Sequence, residues 1–119
     1  EACMSEANKD VVRRINQCFE AGDHDGIIAC LADEVVWEVP PHFTAQGKDE
    51  FRAQITNPTA DGPPSIELRN LVAEGNSVTL EGYVENKFVG GGVFKGRFHN
   101  AYVLRDGLIV KMTSYVVPV

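Results

Sequence analysis

Basic side chains are scarce and scattered in this sequence: 11 Lys and Arg stand against 17 Asp and Glu, for a net charge of −6. A surface of that sign repels phosphate backbones and anionic lipid headgroups, so neither nucleic acid nor a membrane surface is expected as a partner. No apolar stretch approaches the roughly 20 residues that a bilayer-spanning helix needs. The first ten residues, EACMSEANKD, are polar and acidic, with no apolar signal segment. Cysteine is also thin. Cys3, Cys18 and Cys30 are odd in number and form no CxxC pair, which fits free thiols in a reducing cytoplasm better than a disulfide framework. The histidines, His24, His42 and His99, are far apart, and no acidic pair has ligand spacing on one element. No metal is therefore expected. The only glycine run, Gly90 to Gly92, joins two strand-like segments instead of opening a helix, so it is a turn and not a phosphate loop. No cofactor is expected.

What remains is the composition of one globular domain: 119 residues, 44% hydrophobic and 24% charged, enough to enclose a core without staples. Its expected span is residues 4–117, with Met4 as a natural start, Glu1 to Cys3 as an appended remnant and Pro118–Val119 as another. From Glu6 to Ala21, the residues Val11, Val12, Ile15, Cys18 and Phe19 recur at helical spacing, and Gly22 supplies the stop. A short second helix carries Ile27, Ile28 and Leu31, capped by Asp23 or Asp25. Val35 to Val39 alternates as a strand until Pro40–Pro41 ends it. After an irregular loop, GKDEFRAQI forms a third helix with Phe51 and Ile55 inward. The second half reads as four strands, Ile66–Glu74, Ser77–Val89, Val93–Arg105 and Leu108–Val117, separated by EGN, GGG and RDG turns. Helices first and an antiparallel meander second make an α+β arrangement, with helices on one face of a curved sheet.

Three segments carry a family likeness: FEAGDHDGIIACLADEVVWEVPP, AQGKDEFRAQI and FHNAYVLRDGLIVKMTSY. A helix ending in Gly-Asp, a D-E-V-x-W strand, a G-K-x-x-F helix start and a closing R-D-G-x-I-V hairpin occur in that order. Together they resemble the SnoaL-like, ketosteroid-isomerase-like branch of the NTF2-like superfamily. The resemblance implies a conical α+β barrel, its mostly antiparallel sheet wrapped around the N-terminal helices. It also implies a deep pocket for an apolar small molecule, and a homodimer formed through the outer sheet face. It does not fix the chemistry, since such folds host isomerases, cyclases, epoxide hydrolases and non-catalytic binders.

Strand alternation then assigns faces. Val35, Trp37 and Val39 share one side of the first strand and Val36 and Glu38 the other; a Trp suits an apolar interior better than a carboxylate, so Glu38 is expected outward. In the central hairpin, a loop of Gly90 to Gly92 would pair Val89 with Val93 and Glu85 with Arg97. Even-numbered residues of both strands would then face inward. A two-residue loop would instead bring Tyr83 and Glu85 over the pocket. The first register gives an apolar cavity of Trp37, Val39, Val84, Phe98, Leu104, Met112 and Val116, with Asn86, Asn100, Tyr102 and Ser114 as neutral polar groups.

By the same resemblance, the steroid-isomerase base position falls on Val39, its helix-one Tyr on Ile15 and its oxyanion-hole Asp on Asn100. The epoxide-hydrolase Asp–Arg–Asp positions fall on Val84, Asn86 and Ser114. The acids of both active sets are absent. Two readings follow. In the first, the protein binds an apolar, oxygen-bearing organic molecule and transforms it as an isomerase, cyclase or epoxide hydrolase. Asn100, Tyr102 and Ser114 would orient the ligand oxygen, and His42 at the pocket rim or Glu85 would accept the proton. In the second, it is a non-catalytic binding or dimeric interaction module that kept the fold without the carboxylates. A cavity filled by its own side chains would leave a structural subunit.

Overall fold

The structure, a computed structural model, describes residues 2–119, with side chains from Met4 onward. The expected remnant of residues 1–3 lies largely outside the described residues. The first helix, α1, runs from Ala2 to Ala21. Its apolar stripe buries Val11, Val12 and Ile15, with Cys18 and Phe19 packed against the same core. Gly22 adopts φ 68°, and the N–H groups of Gly22 and Asp23 donate to the carbonyls of Phe19 and Cys18. This is a Schellman-type ending that satisfies two of the last carbonyls of the helix. The side chain of Asp23 then accepts from the Gly26 N–H and caps α2, His24–Ala29. Leu31, expected on this helix, instead opens the first strand.

That strand, β1, spans Leu31–Val39 and so starts four residues before Val35. The early part pairs Leu31 with Ile109, and a register break precedes Val36. Such a bulge interrupts the alternation on which sequence reading depends. Beyond the diproline the chain turns tightly, His42 donating its N–H to the Val39 carbonyl at 2.7 Å. It returns as β2, Phe43–Gln46, antiparallel to β1. The sequence reading has a loop here, because four residues with one buried side chain, Ala45, carry too short an alternation to read as a strand. Helix α3, Gly47–Ile55, buries Phe51 completely.

The remaining strands are β3 (Ser65–Glu74), β4 (Ser77–Lys87), β5 (Val93–Arg105) and β6 (Leu108–Pro118). The sheet order is β2-β1-β6-β5-β4-β3, antiparallel throughout except for the parallel β1–β6 pair. It curves without closing, with β2 and β3 as its edges, and the helices pack on the concave face. This is the α+β architecture expected from the sequence. At its end Pro118 still pairs with Gly96, and the Val119 N–H donates to the Lys95 carbonyl. No helix among the described residues is long and apolar enough to cross a membrane.

The central hairpin corrects one expectation. Lys87 pairs with Val93, and Glu85 faces Lys95, not Arg97. The connection runs from Phe88 to Gly92 because the Val89 N–H is taken by the Thr59 carbonyl and the Phe88 N–H by the Gly92 carbonyl. Gly90 and Gly91 supply the positive φ values, 100° and 98°, that this wide turn requires. The slip is an even number of residues, so the faces are preserved. Val78, Leu80, Phe98, Tyr102 and Leu104 are buried inside, and Lys87, Lys95, Arg97 and His99 are exposed outside.

Candidate functional site

The concave side of the sheet, α1 and α3 enclose a cavity of about 300 Å³. Trp37 and Val39 of β1 form one wall, as their alternation predicts, and Phe43 of β2 continues it. Val84 and Asn86 come from β4, Phe98 and Asn100 from β5, and Met112, Ser114 and Val116 from β6. Asn16 and Phe19 of α1 and Gln54 of α3 close the helical side. Trp37 is held rigidly: it stacks on Phe51 at 4.5 Å and 25°, and meets Phe43 edge-on at 5.1 Å. On the opposite face of β1, Glu38 points outward and pairs with Lys111 at 2.9 Å.

Two groups of neutral hydrogen bonds are set into the apolar lining. The Trp37 indole N–H donates to Ser114 Oγ at 3.0 Å. Ser114 is the ladder partner of Asn100, whose Nδ2 lies 2.9 Å from the Tyr102 hydroxyl. The same hydroxyl is 3.4 Å from Nδ2 of Asn16, which also donates to the Val12 carbonyl at 2.8 Å. Asn100 Oδ1 is the one buried side-chain oxygen or nitrogen without a partner among the described residues. With two amide N–H groups directed at it, the Tyr102 hydroxyl has no acceptor for its own proton from Asn100. Rotating the Asn100 amide gives that proton an acceptor, Oδ1, and leaves Nδ2 unpaired instead. In both orientations Asn100 retains one unused polar atom, and an unpaired buried amide atom is costly. Burial pushes the Tyr102 phenol up from its ordinary pKa, against the lowering effect of its hydrogen bonds to Asn16 and Asn100. At neutral pH it is a hydrogen-bonding group and not a base.

Of the residues singled out in the sequence, Trp37, Val39, Val84, Asn86, Phe98, Asn100, Met112, Ser114 and Val116 meet at this cavity. Tyr102 stands behind the lining as the link between Asn16 and Asn100. Leu104 is core. His42 is exposed in the turn after the diproline, and it is not among the residues lining the cavity. Glu85 lies on the outer face opposite Lys95, beside a shallow depression shared with Tyr83 and Ser65. Among the described residues, no Asp, Glu, His, Lys or Arg lines the cavity.

Sequence reasoning missed Asn16, Phe19, Gln54 and Phe43 as lining residues, whereas Phe94 lies on the even-numbered face expected inward. Asn16 was legible: it follows Val12 by four and precedes Phe19 by three, a polar residue set into the buried stripe, and it is only 5% exposed. The thiols offer no nucleophile, since burial raises the pKa of both Cys18 and Cys30. Among the described residues no group of His, Cys, Asp and Glu is placed to hold a metal ion.

The family model of the SnoaL-like domain matches residues 12–112, a stretch that contains every element of this cavity except Ser114 and Val116. The chain belongs to the SnoaL-like domain family, within the NTF2-like fold. An NTF2-like protein of unknown function from Burkholderia pseudomallei superposes with a TM-score of 0.81 at 20% identity, over 91% of this chain and 88% of that one. An LEH-like epoxide hydrolase of M. tuberculosis gives 0.85 at 15% identity, over 95% and 84%. TerC, co-crystallized with polyporic acid, gives 0.80 at 19% identity, over 91% and 89%. At these identities the likeness is one of fold. A comparison with curated protein sequences finds no match.

Proposed function

We propose that this protein binds a neutral, largely apolar organic molecule that carries an oxygen, and that Asn100 and Ser114 hold that oxygen. The observation that carries the reading is the buried, unpaired amide atom of Asn100, a residue in the wall of a mainly apolar cavity. Sites for small molecules combine apolar walls with a few placed polar groups in this way. Ser114 Oγ already accepts from Trp37, so its own proton is free to donate. With the Asn100 amide rotated so that Oδ1 accepts from the Tyr102 hydroxyl, Nδ2 is the free atom, and a ligand carbonyl set between it and Ser114 would receive one hydrogen bond from each.

Among the described residues, no carboxylate or imidazole lines the cavity to accept a proton, which favours binding over general-base isomerisation or hydration. TerC supports a small organic molecule as the occupant of this fold, having been crystallized with one. In the same reading the protein is cytoplasmic, in keeping with the free thiols of Cys18 and Cys30. It pairs with a second copy through the outer sheet face, where Tyr115 and Val117 stand 52% and 62% exposed on β6.

Isothermal titration with 4-propylcyclohexanone tests the reading. Saturable binding of one ketone per chain is expected. Absence of any saturable heat with neutral cyclic ketones would overturn it.

A further inference from the structure

A second cavity, of about 490 Å³, adjoins the first and shares Phe19, Trp37, Gln54, Pro64 and Asn86 with it. It lies under the segment that follows α3, where Asn57, Ala60 and Gly62 form its roof, and α2 contributes His24 and Ile27. Its character differs from that of the first. The first cavity is walled mainly by aromatic and aliphatic side chains, whereas the second gathers His24, Gln54, Asn57 and Asn86. Asn57 has its side-chain oxygen committed to Thr59, which leaves its amide N–H groups, the His24 imidazole and the amides of Gln54 and Asn86 to meet a ligand. Both volumes fall at or within the range of about 300–1,000 Å³ usual for ligand sites.

We propose that the two cavities form a single site for a neutral two-part molecule. An oxygen-bearing alicyclic or aromatic ring occupies the first, and a hydroxyl-bearing arm reaches past Asn86 and Gln54 into the second. This rests on the reading of the first cavity given above and adds the class of ligand. Charge decides that the arm is neutral: among the described residues, no Asp, Glu, Lys or Arg lines either cavity. An ionised arm would give up hydration against these walls with no carboxylate, ammonium or guanidinium to answer its charge, which is costly. Hydroxyl groups, in contrast, both donate and accept, and so suit amides and an imidazole equally. A purely alkyl arm would strip water from these groups and return no hydrogen bond.

Three ketones separate the two readings by calorimetry on the full chain: cyclohexanone, 4-propylcyclohexanone and 4-(3-hydroxypropyl)cyclohexanone. The hydroxylated ketone is expected to bind at least as tightly as its alkyl counterpart, although its arm is the better hydrated in water. His24→Leu, which touches only the second cavity, should shift the ratio of the two about tenfold toward the alkyl ketone. Ala60→Trp, which fills the second cavity, should weaken both armed ketones and leave cyclohexanone unchanged. If cyclohexanone binds and neither variant alters the ratio or the armed ketones, the two-part site is wrong while the first cavity stands. If no ketone binds, the reading of the first cavity fails and takes this inference with it.

Discussion

Asn100 is where the account is most exposed to test. Asn100→Leu should lower the affinity for 4-propylcyclohexanone about tenfold, the loss of one or two hydrogen bonds to a buried oxygen. It should also cost about 1 kcal/mol of stability, because the buried Tyr102 hydroxyl loses its 2.9 Å partner while the unpaired atom leaves with the amide; titration calorimetry and urea denaturation measure the two quantities separately. Tyr102→Phe should behave in the opposite way. It strips the shared partner from Asn16 and Asn100, so a loss of about 1–3 kcal/mol is expected in urea denaturation. Tyr102 also fixes a pH dependence. Its pKa is raised in the fold by burial, so the unfolded chain releases this proton first. The stabilising contribution is complete below about pH 10 and is lost as pH climbs from there through the folded value. Melting temperature should fall above pH 10, and Tyr102→Phe should make that fall shallower. Asn100 and Ser114 were legible in the sequence because neutral polar residues interrupt alternating apolar strands. The unpaired amide atom was not, since it depends on how Tyr102 shares its hydroxyl between two helically and sheet-borne amides.

Among the elements, the β4–β5 hairpin shapes the cavity floor through glycine. Gly82 is the ladder partner of Phe98, and a Cβ there would lie 2.7 Å from the Phe98 ring and collide with the Glu67 carbonyl. The β3–β4 register break sits opposite this point, between Leu68 and Asn70, as expected where a strand glycine marks a bulge. Gly82→Ala should therefore destabilise the fold by about 1–3 kcal/mol, measured by chemical denaturation, and displace the ring that floors the ligand site. Inward and outward faces could be read from the sequence because parity survives any even slip of the hairpin. The pairing itself could not, because the loop length is set by a distant segment: the Thr59 carbonyl accepts from the Val89 N–H and the Asp61 N–H donates to the Lys87 carbonyl, which bridges Ala60 to Phe88. Strand β2 escaped for a related reason: its pairing with β1 comes from the reversal at the diproline and not from its own four residues.

At the scale of the molecule, an acidic chain folds into an open, curved sheet whose concave face holds neutral groups and whose convex face carries the charges. Arg97 pairs with Glu81 at 2.7 Å and lies over the Tyr83 ring, which Arg69 also approaches, all on the outside. The apolar strip of Tyr115 and Val117 interrupts this polar surface. If that strip joins two copies, Tyr115→Glu should convert dimer to monomer in light scattering after size-exclusion chromatography, with ketone binding retained. The family and the α+β architecture were legible from ordered motifs along the chain. An apolar, oxygen-bearing ligand was expected from the same resemblance; its proposed two-part form was not, because that rests on two cavities assembled from α1, α2, α3 and all six strands. The central claim is that Asn100 meets the ligand oxygen, and the most direct measurement follows its side-chain amide by ¹H–¹⁵N NMR during titration with 4-propylcyclohexanone. The account predicts that this amide pair shifts and saturates together with the calorimetric isotherm. An unmoved Asn100 amide at saturation, or shifts confined to the outer face around Tyr115, would contradict it.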